Sequence, residues 1–314
     1  MRLKLTLIFV IFLGWCMPVQ SQNDVELADM AQAKMARKEY SYALVLIEKA
    51  IALNDSNEWY YLTKADIETK LYGPKEALKS AQKAIRLNRK NAEAYSRAGT
   101  LYSSFNASDS AIFMYNLAIK YAEDDTMRNA YLVNRAAAKG MSRDFEGALA
   151  DYETSLKFDP NNIATLNNIA AVYSRLGNPA PGISYLKKIV TLDPTFIGAY
   201  VNLGFIYSSM DSLTLALNYF DKALNIDPDD GISYNNRGYV YYKQANYKAA
   251  LQDINHSISL YPSNSYAYRN LALVYLATSK TTEACEALHY AESYGFRHNY
   301  GDEVDTLIKK HCKR

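Results

Sequence analysis

Apolar side chains return along this chain at three- and four-residue steps, in paired runs. Tyr200, Leu203, Gly204 and Tyr207 make one run; Ala216, Phe220, Ala223 and Leu224 make the next. Such spacing gathers an apolar stripe on one side of a helix, so each pair predicts two amphipathic helices joined by a short turn. The pair recurs every 34 residues, at 24–57, 58–91, 92–125, 129–162, 163–196, 197–230, 231–264 and 265–298. Thr126 to Arg128 are inserted between the third and fourth repeats, where a bend is expected. Place 8 of every repeat is small (Ala31, Ala65, Gly99, Ala136, Ala170, Gly204, Gly238, Ala272). So is place 20 (Ala43, Ala77, Ala111, Ala148, Gly182, Ala216, Ala250, Ala284). Small residues at fixed places let two helix axes approach closely. Pro160, Pro194, Pro228 and Pro262 close four repeats, where a missing N–H costs nothing. Asp55, Arg89 and Glu123 stand there in the first three. Pro179 and Pro181 precede Gly182 and predict a late start for that helix.

The order aromatic, Leu-Gly, Tyr, Ala, Phe and closing Pro is nearly whole in Tyr200, Leu203-Gly204, Tyr207, Ala216, Phe220, Ala223 and Pro228. On these residues the chain resembles the tetratricopeptide repeat family. The resemblance implies an all-α, right-handed superhelical solenoid of helix-turn-helix hairpins, eight repeats over 24–298, with a capping helix in 299–314. A single repeat cannot bury its own apolar face, so neighbours stack into a continuous core. A hydrophobic fraction of 49% is ample for that. Length alone suggests two domains; the repeat logic predicts one array. The 28 tyrosines fall mostly at packing places such as Tyr61, Tyr95, Tyr200, Tyr234 and Tyr268.

The first 21 residues stand outside the pattern. Arg2 and Lys4 precede a mostly apolar run, Leu5 to Met17, too short for a span of roughly 20 residues. Pro18 ends it, and Val19-Gln20-Ser21 precede a cut at Gln22. This reads as a cleaved secretory signal peptide, implying export across an inner membrane into a periplasm-like space, with no membrane span afterwards. An uncleaved anchor and a lipoprotein signal at Leu13-Gly14-Trp15-Cys16 are the alternatives, the latter opposed by the bulk of Trp15. Cleavage takes 35 basic residues to 33, against 33 acidic ones. A neutral chain lacks the surplus positive charge that nucleic-acid binding requires.

Cleavage also removes Cys16 and leaves Cys285 and Cys312. Cys285 holds the place filled elsewhere by Leu44, Leu78, Ile112, Leu149, Ile183, Leu217 and Leu251, which faces the next element. Here that element is a final helix from about Asp302 to Cys312, with Val304, Leu307, Ile308 and Cys312 on its apolar face. Both sulfurs are expected in one seam, as a disulfide tying the cap to the last repeat. Free thiols, or a zinc site drawing on His289 and His311, remain as alternatives. A cysteine pair so placed is similar to one in secreted bacterial tetratricopeptide proteins.

Asn134, Asn168, Asn202, Asn236 and Asn270 all occupy place 6. At about 100° per residue, places 2, 6, 9 and 13 lie opposite the packing face of the first helix. In the resembled fold that side lines a concave groove that takes extended peptides. The row is similar to the asparagine ladder of O-linked N-acetylglucosamine transferase. An amide offers an acceptor and two donors, so a row of them can grip main chain whatever its side chains. Arg175, Phe205, Ser209, Ile232, Tyr239, Lys243, Tyr266 and Leu273 would line the same groove. Asp29, Thr63 and Arg97 replace the asparagine in the first three repeats. The competing reading is that these amides bond between stacked helices. Charge-clamp recognition of chaperone tails is disfavoured, because Ala130, Ala137 and Met141 flank Asn134.

His256, His289, His298 and His311 enter no nucleophile, zincin or phosphate-loop pattern. Acidic residues are expected on the solvated outer face. The chain reads as a non-enzymatic scaffold that needs no cofactor or metal and binds an extended segment of another protein. A structural part of an envelope assembly, binding through its convex face or ends, and a targeting subunit for a separate enzyme are the alternatives.

Overall fold

The computed structural model describes residues 23–312, and the expected signal peptide lies outside them. Among the described residues all regular structure is helical. The chain divides into two compact units, 1–122 and 123–314.

The first unit holds three hairpins: α1 (Asp24–Ala36) with α2 (Tyr40–Leu53), α3 (Glu58–Leu71) with α4 (Pro74–Leu87), and α5 (Ala92–Ser104) with α6 (Ser108–Tyr121). The second holds five. They are α7 (Asp125–Met141) with α8 (Phe145–Phe158), α9 (Ile163–Arg175) with α10 (Pro179–Leu192), and α11 (Ile197–Ser209) with α12 (Leu213–Ile226). α13 (Gly231–Lys243) with α14 (Tyr247–Leu260) and α15 (Ser265–Ala277) with α16 (Thr281–Ser293) follow. Two further helices end the chain, α17 (Phe296–Tyr300) and α18 (Glu303–His311). Each helix packs on its hairpin partner and, within its unit, on the next hairpin.

Punctuation inside each repeat sets the 34-residue period. In five repeats place 34 is a side-chain N-cap. Asn91, Asn162, Asp230 and Asn264 each accept a backbone N–H of the helix that follows, as Asn57 does for Trp59. Place 15 ends the first helix in the left-handed region, at Lys38, Asn106, Arg143, Gly177, Asp211, Ala245 and Ser279. The next N–H then reaches back to the carbonyl at place 11, as Ser212 does to Tyr207 and Asn246 to Tyr241. This left-handed closure satisfies carbonyls that the helix end would otherwise orphan. Small residues at places 8 and 20 lie buried where the two helices cross. A Cβ added at Gly204 would sit 2.6 Å from the Phe220 ring, so only glycine allows that approach.

Two expectations need correction. The helix at Gly182 does not start late: α10 begins at Pro179, because prolines in a first turn forfeit no hydrogen bond. Thr126 to Arg128 lie within α7, which runs to 17 residues and is capped by Asp124. Acidic residues are not confined to the outer face. Asp151 is buried, bridged by Arg135 Nε and Nη2 (2.8 and 2.7 Å) and by Lys139. Asp253 is likewise buried under Arg237, at 2.7 and 3.0 Å.

Candidate binding cleft

The asparagine row divides into two kinds of position. Asn270 is only 1% exposed. Its amide donates to Asn235 Oδ1 at 2.9 Å, and its carbonyl accepts from Arg269 Nη1 at 2.8 Å. This corrects its expected place in a peptide ladder: both ends are spent inside the stack. Asn202 donates to Asn167 Oδ1 at 2.8 Å in the same way, yet stays half-buried beside a cleft. Each acceptor is the first member of an Asn-Asn doublet in the preceding repeat, Asn167-Asn168 or Asn235-Asn236. The second members are less engaged. Asn168 lies beside the Tyr152 hydroxyl, whose pKa burial pushes up to about 12. Asn134 and Asn236 are half-buried and make no side-chain hydrogen bond to the described residues.

Asn236 opens onto a cleft of about 590 Å³ on the first helices of repeats six to eight. Phe205 of α11, Ile232 of α13, Tyr261 and Asn264 of the turn between α14 and α15, Tyr266 of α15 and Tyr300 of α17 line it. Phe205 is 52% exposed, Ile232 54%, Tyr261 52% and Tyr300 56%. The exposure follows from place: 2 and 9 point away from the hairpin partner. Tyr266 is held by its neighbours, stacked on Phe296 at 5.8 Å and edge-on to Tyr300 at 5.1 Å. The Arg269 guanidinium lies over the Tyr266 and Tyr239 rings, 5.4 Å from each centroid. Burial works to lower the Arg269 pKa, but Glu303 together with the Tyr266 and Tyr239 hydroxyls leaves it raised.

A second cleft, of about 310 Å³, adjoins on the other side of Phe205. Arg175, Asn202 and Ser174 line it with Ala170 and Ile206. Phe205 is the wall common to both. The structure therefore brings Asn202, Asn236, Arg175, Phe205, Ile232 and Tyr266 onto one face. It sets others aside. Lys243 is not free for a ligand: its ammonium bonds the Ser208 carbonyl (2.9 Å) and Asp211 (2.7 Å), stapling its hairpin to the preceding one. Tyr239 stacks on Tyr242 beneath Arg269. Neither Asn134 nor Asn168 lines either cleft. Tyr261, Asn264 and Tyr300 were missed by sequence reasoning. The first two lie in a turn outside the helical pattern, and Tyr300 beyond the last full repeat.

Elsewhere, Cys285 and Cys312 lie 5.6 Å apart at Cα, with their sulfurs bonded to each other. No His/Cys/Asp/Glu group among the described residues could hold a metal ion. None of the described helices is long and apolar enough to cross a membrane. In the first unit, Arg97 pairs with Asp66 and with Glu93, flooring a cleft of about 480 Å³ beside Trp59 and Met35.

Residues 196–263 match a tetratricopeptide repeat family model, and residues 92–125 and 163–196 match another of the same description. The latter two segments coincide with repeats read from the period. The Hsp70-Hsp90 organizing protein of Triticum aestivum is 27% identical over 171 residues, 44% of this chain and 28% of that protein. A TPR repeat-containing protein of Methanocaldococcus jannaschii is 26% identical over 196 residues, 49% of this chain and 34% of that one. The chain thus spans about a third or less of the length of these relatives. A tetratricopeptide repeat protein from Parabacteroides merdae superposes with a TM-score of 0.71 at 19% identity, over 83% of this chain and 100% of that one. A chain of the Cut9-Hcn1 hetero-tetramer of the APC/C gives 0.60 at 17% identity, over 92% and 55%. The fold is therefore that of tetratricopeptide solenoid proteins.

Proposed function

We propose that this tetratricopeptide-type chain is a non-enzymatic scaffold, and that it holds an extended segment of another protein across α11, α13 and α15. The observation that carries this reading is the pair of adjoining clefts sharing Phe205. Four large apolar side chains are exposed around the larger one with no packing reason for it, and contiguous exposed apolar surface marks a binding site. Asn236 supplies a free amide between them. Asn264 spends its carbonyl on the N-cap and keeps its amide donors. Each amide-to-main-chain bond nets about 0.5–1.5 kcal/mol, and each anchored aliphatic or aromatic side chain about 1.5–3 kcal/mol. Affinity then comes from apolar anchors in the clefts, with amides fixing register. The ladder is shorter than the sequence implies, since Asn270 is consumed by the stack.

The apolar start of the chain and the paired cysteines both support export to an oxidising, periplasm-like compartment, where such a bond persists.

The test is selection of displayed dodecapeptides on the oxidised protein, followed by anisotropy titration of a labelled hit. Replacing Phe205 and Ile232 by alanine together is expected to weaken binding at least about tenfold with thermal unfolding unchanged. A hit bound equally well by the double variant would remove the cleft from the account.

A further inference from the structure

One wall of the larger cleft comes from outside the 34-residue hairpins. Tyr300 belongs to α17, a single turn set off at each end by a glycine in the left-handed region, Gly295 and Gly301. Its neighbour Phe296 is fully buried, 5.0 Å from Tyr300 and stacked on Tyr266. Behind α17, α18 packs Val304, Leu307, Ile308 and Cys312 against a core that includes Leu271, Val274 and Leu288. The cap is thus continuous with the aromatic lining of the cleft.

A polar route runs in parallel. Glu303, the first residue of α18, pairs with Arg269 through Nη2 and through Nε at 3.1 Å. Arg269 Nη1 bonds Asn270 Oδ1 at 2.8 Å, and Asn270 Nδ2 bonds Asn235 Oδ1 at 2.9 Å. Asn235 itself lines the cleft. Arg269, Asn270 and Asn235 are all buried, so each link is costly to break. Glu303 therefore orients the cleft floor three links away.

We propose that the segment 296–312 controls the affinity of the cleft, and that the Cys285–Cys312 bond is the element that sets it. This rests on the reading of the cleft as a peptide site. A helix of nine residues is not stable alone, and the bond fixes α18 to α16 at its far end. A dithiol would open it by exchange: two electrons and two protons yield two cysteine thiols, and the dithiol leaves as its own disulfide. Without the bond, α18 disengages more often, Glu303 leaves Arg269 buried without its carboxylate, and Tyr300 leaves the wall. Glu303 and Arg269 are positioning residues here; neither needs to touch the peptide.

The probe is the labelled dodecapeptide selected on the oxidised protein. Its affinity is measured for oxidised wild type, dithiothreitol-reduced wild type, the double variant Cys285→Ser with Cys312→Ser, Glu303→Gln, Glu303→Ala and Phe205→Ala. Reduction, the serine pair and Glu303→Ala should each weaken binding at least about fivefold, and Glu303→Gln, which keeps a hydrogen bond, should weaken it less. Hydrogen exchange should quicken in α13 and α15 as well as in α17 and α18. Normal binding by every cap variant, with binding lost in Phe205→Ala, overturns the control by the cap and leaves the cleft standing. Normal binding by Phe205→Ala removes the cleft and this inference together. Loss of helicity throughout the chain on reduction also overturns it, because the bond would then be a general staple.

Discussion

Replacing Asn270 by alanine separates the two kinds of asparagine most sharply. The change strands two buried partners. Asn235 Oδ1 loses the donor 2.9 Å away, and Arg269 Nη1 loses the acceptor at 2.8 Å. Both residues are buried, so water replaces the lost partners poorly. A stranded buried group costs about 1–3 kcal/mol, and more where it is charged, so Asn270→Ala should destabilise by about 2–5 kcal/mol. Asn202→Ala removes one half-buried bond, to Asn167, and should cost about 1 kcal/mol. Asn134→Ala and Asn236→Ala remove no hydrogen bond to the described residues and should stay within about 0.5 kcal/mol of wild type. Urea unfolding of the oxidised full chain, followed by far-ultraviolet circular dichroism, reads the order directly. Equal losses for Asn236→Ala and Asn270→Ala, or no loss for either, would refute the division of the row.

Two other outcomes follow from local geometry. Burial raises the pKa of Tyr152 to about 12, from an ordinary value of 10. The fold therefore keeps that hydroxyl protonated where the unfolded chain would release it. The associated stability is full below pH 10 and is lost as pH rises from 10 to 12, by roughly 2–3 kcal/mol in all; tyrosinate absorbance should lag and then appear together with loss of helicity, whereas complete ionisation near pH 10 with helicity intact would contradict it. Ala245 sits at φ 56°, a region costly for any residue with a Cβ, so Ala245→Gly should raise stability by up to about 1 kcal/mol in thermal unfolding, and a lower melting temperature would count against the left-handed closure.

Much of the fold was legible because the period reflects repeated local chemistry. Asn57, Asn91, Asn162 and Asn264 cap the next helix from the same place, and their spacing is visible in the sequence. The left-handed place 15 was not, because it carries Lys38, Asn106, Arg143, Asp211, Ala245 and Ser279 and a glycine only at Gly177. There the turn is imposed by the packing of the two helices and not by residue preference. Asp151 and Asp253 resembled surface carboxylates until an arginine 16 residues earlier, across the hairpin, covered each one.

At the candidate site, helical spacing alone turns Phe205 and Ile232 away from the hairpin partner, and both are exposed. It failed for Asn270 because one helix wheel contains no neighbour: what buries that amide is Arg269 pinned by Glu303. Two signals were nonetheless present. The Asn-Asn doublets at 167–168 and 235–236 mark the repeats that accept a bond from the next, and Glu303 lies one further period of 34 beyond Arg269. The repeat extends into the cap, and stopping it at residue 298 hid the residue that completes the cleft.

The central claim is that a partner's main chain lies along the first helices of repeats six to eight. A crystal structure of the oxidised protein with its selected dodecapeptide tests it most directly. The account predicts peptide backbone within hydrogen-bond reach of the Asn236 amide, about 2.7–3.2 Å, with an apolar side chain between Phe205, Ile232 and Tyr261. Peptide density on the second helices of the hairpins, with the cleft empty, would contradict it.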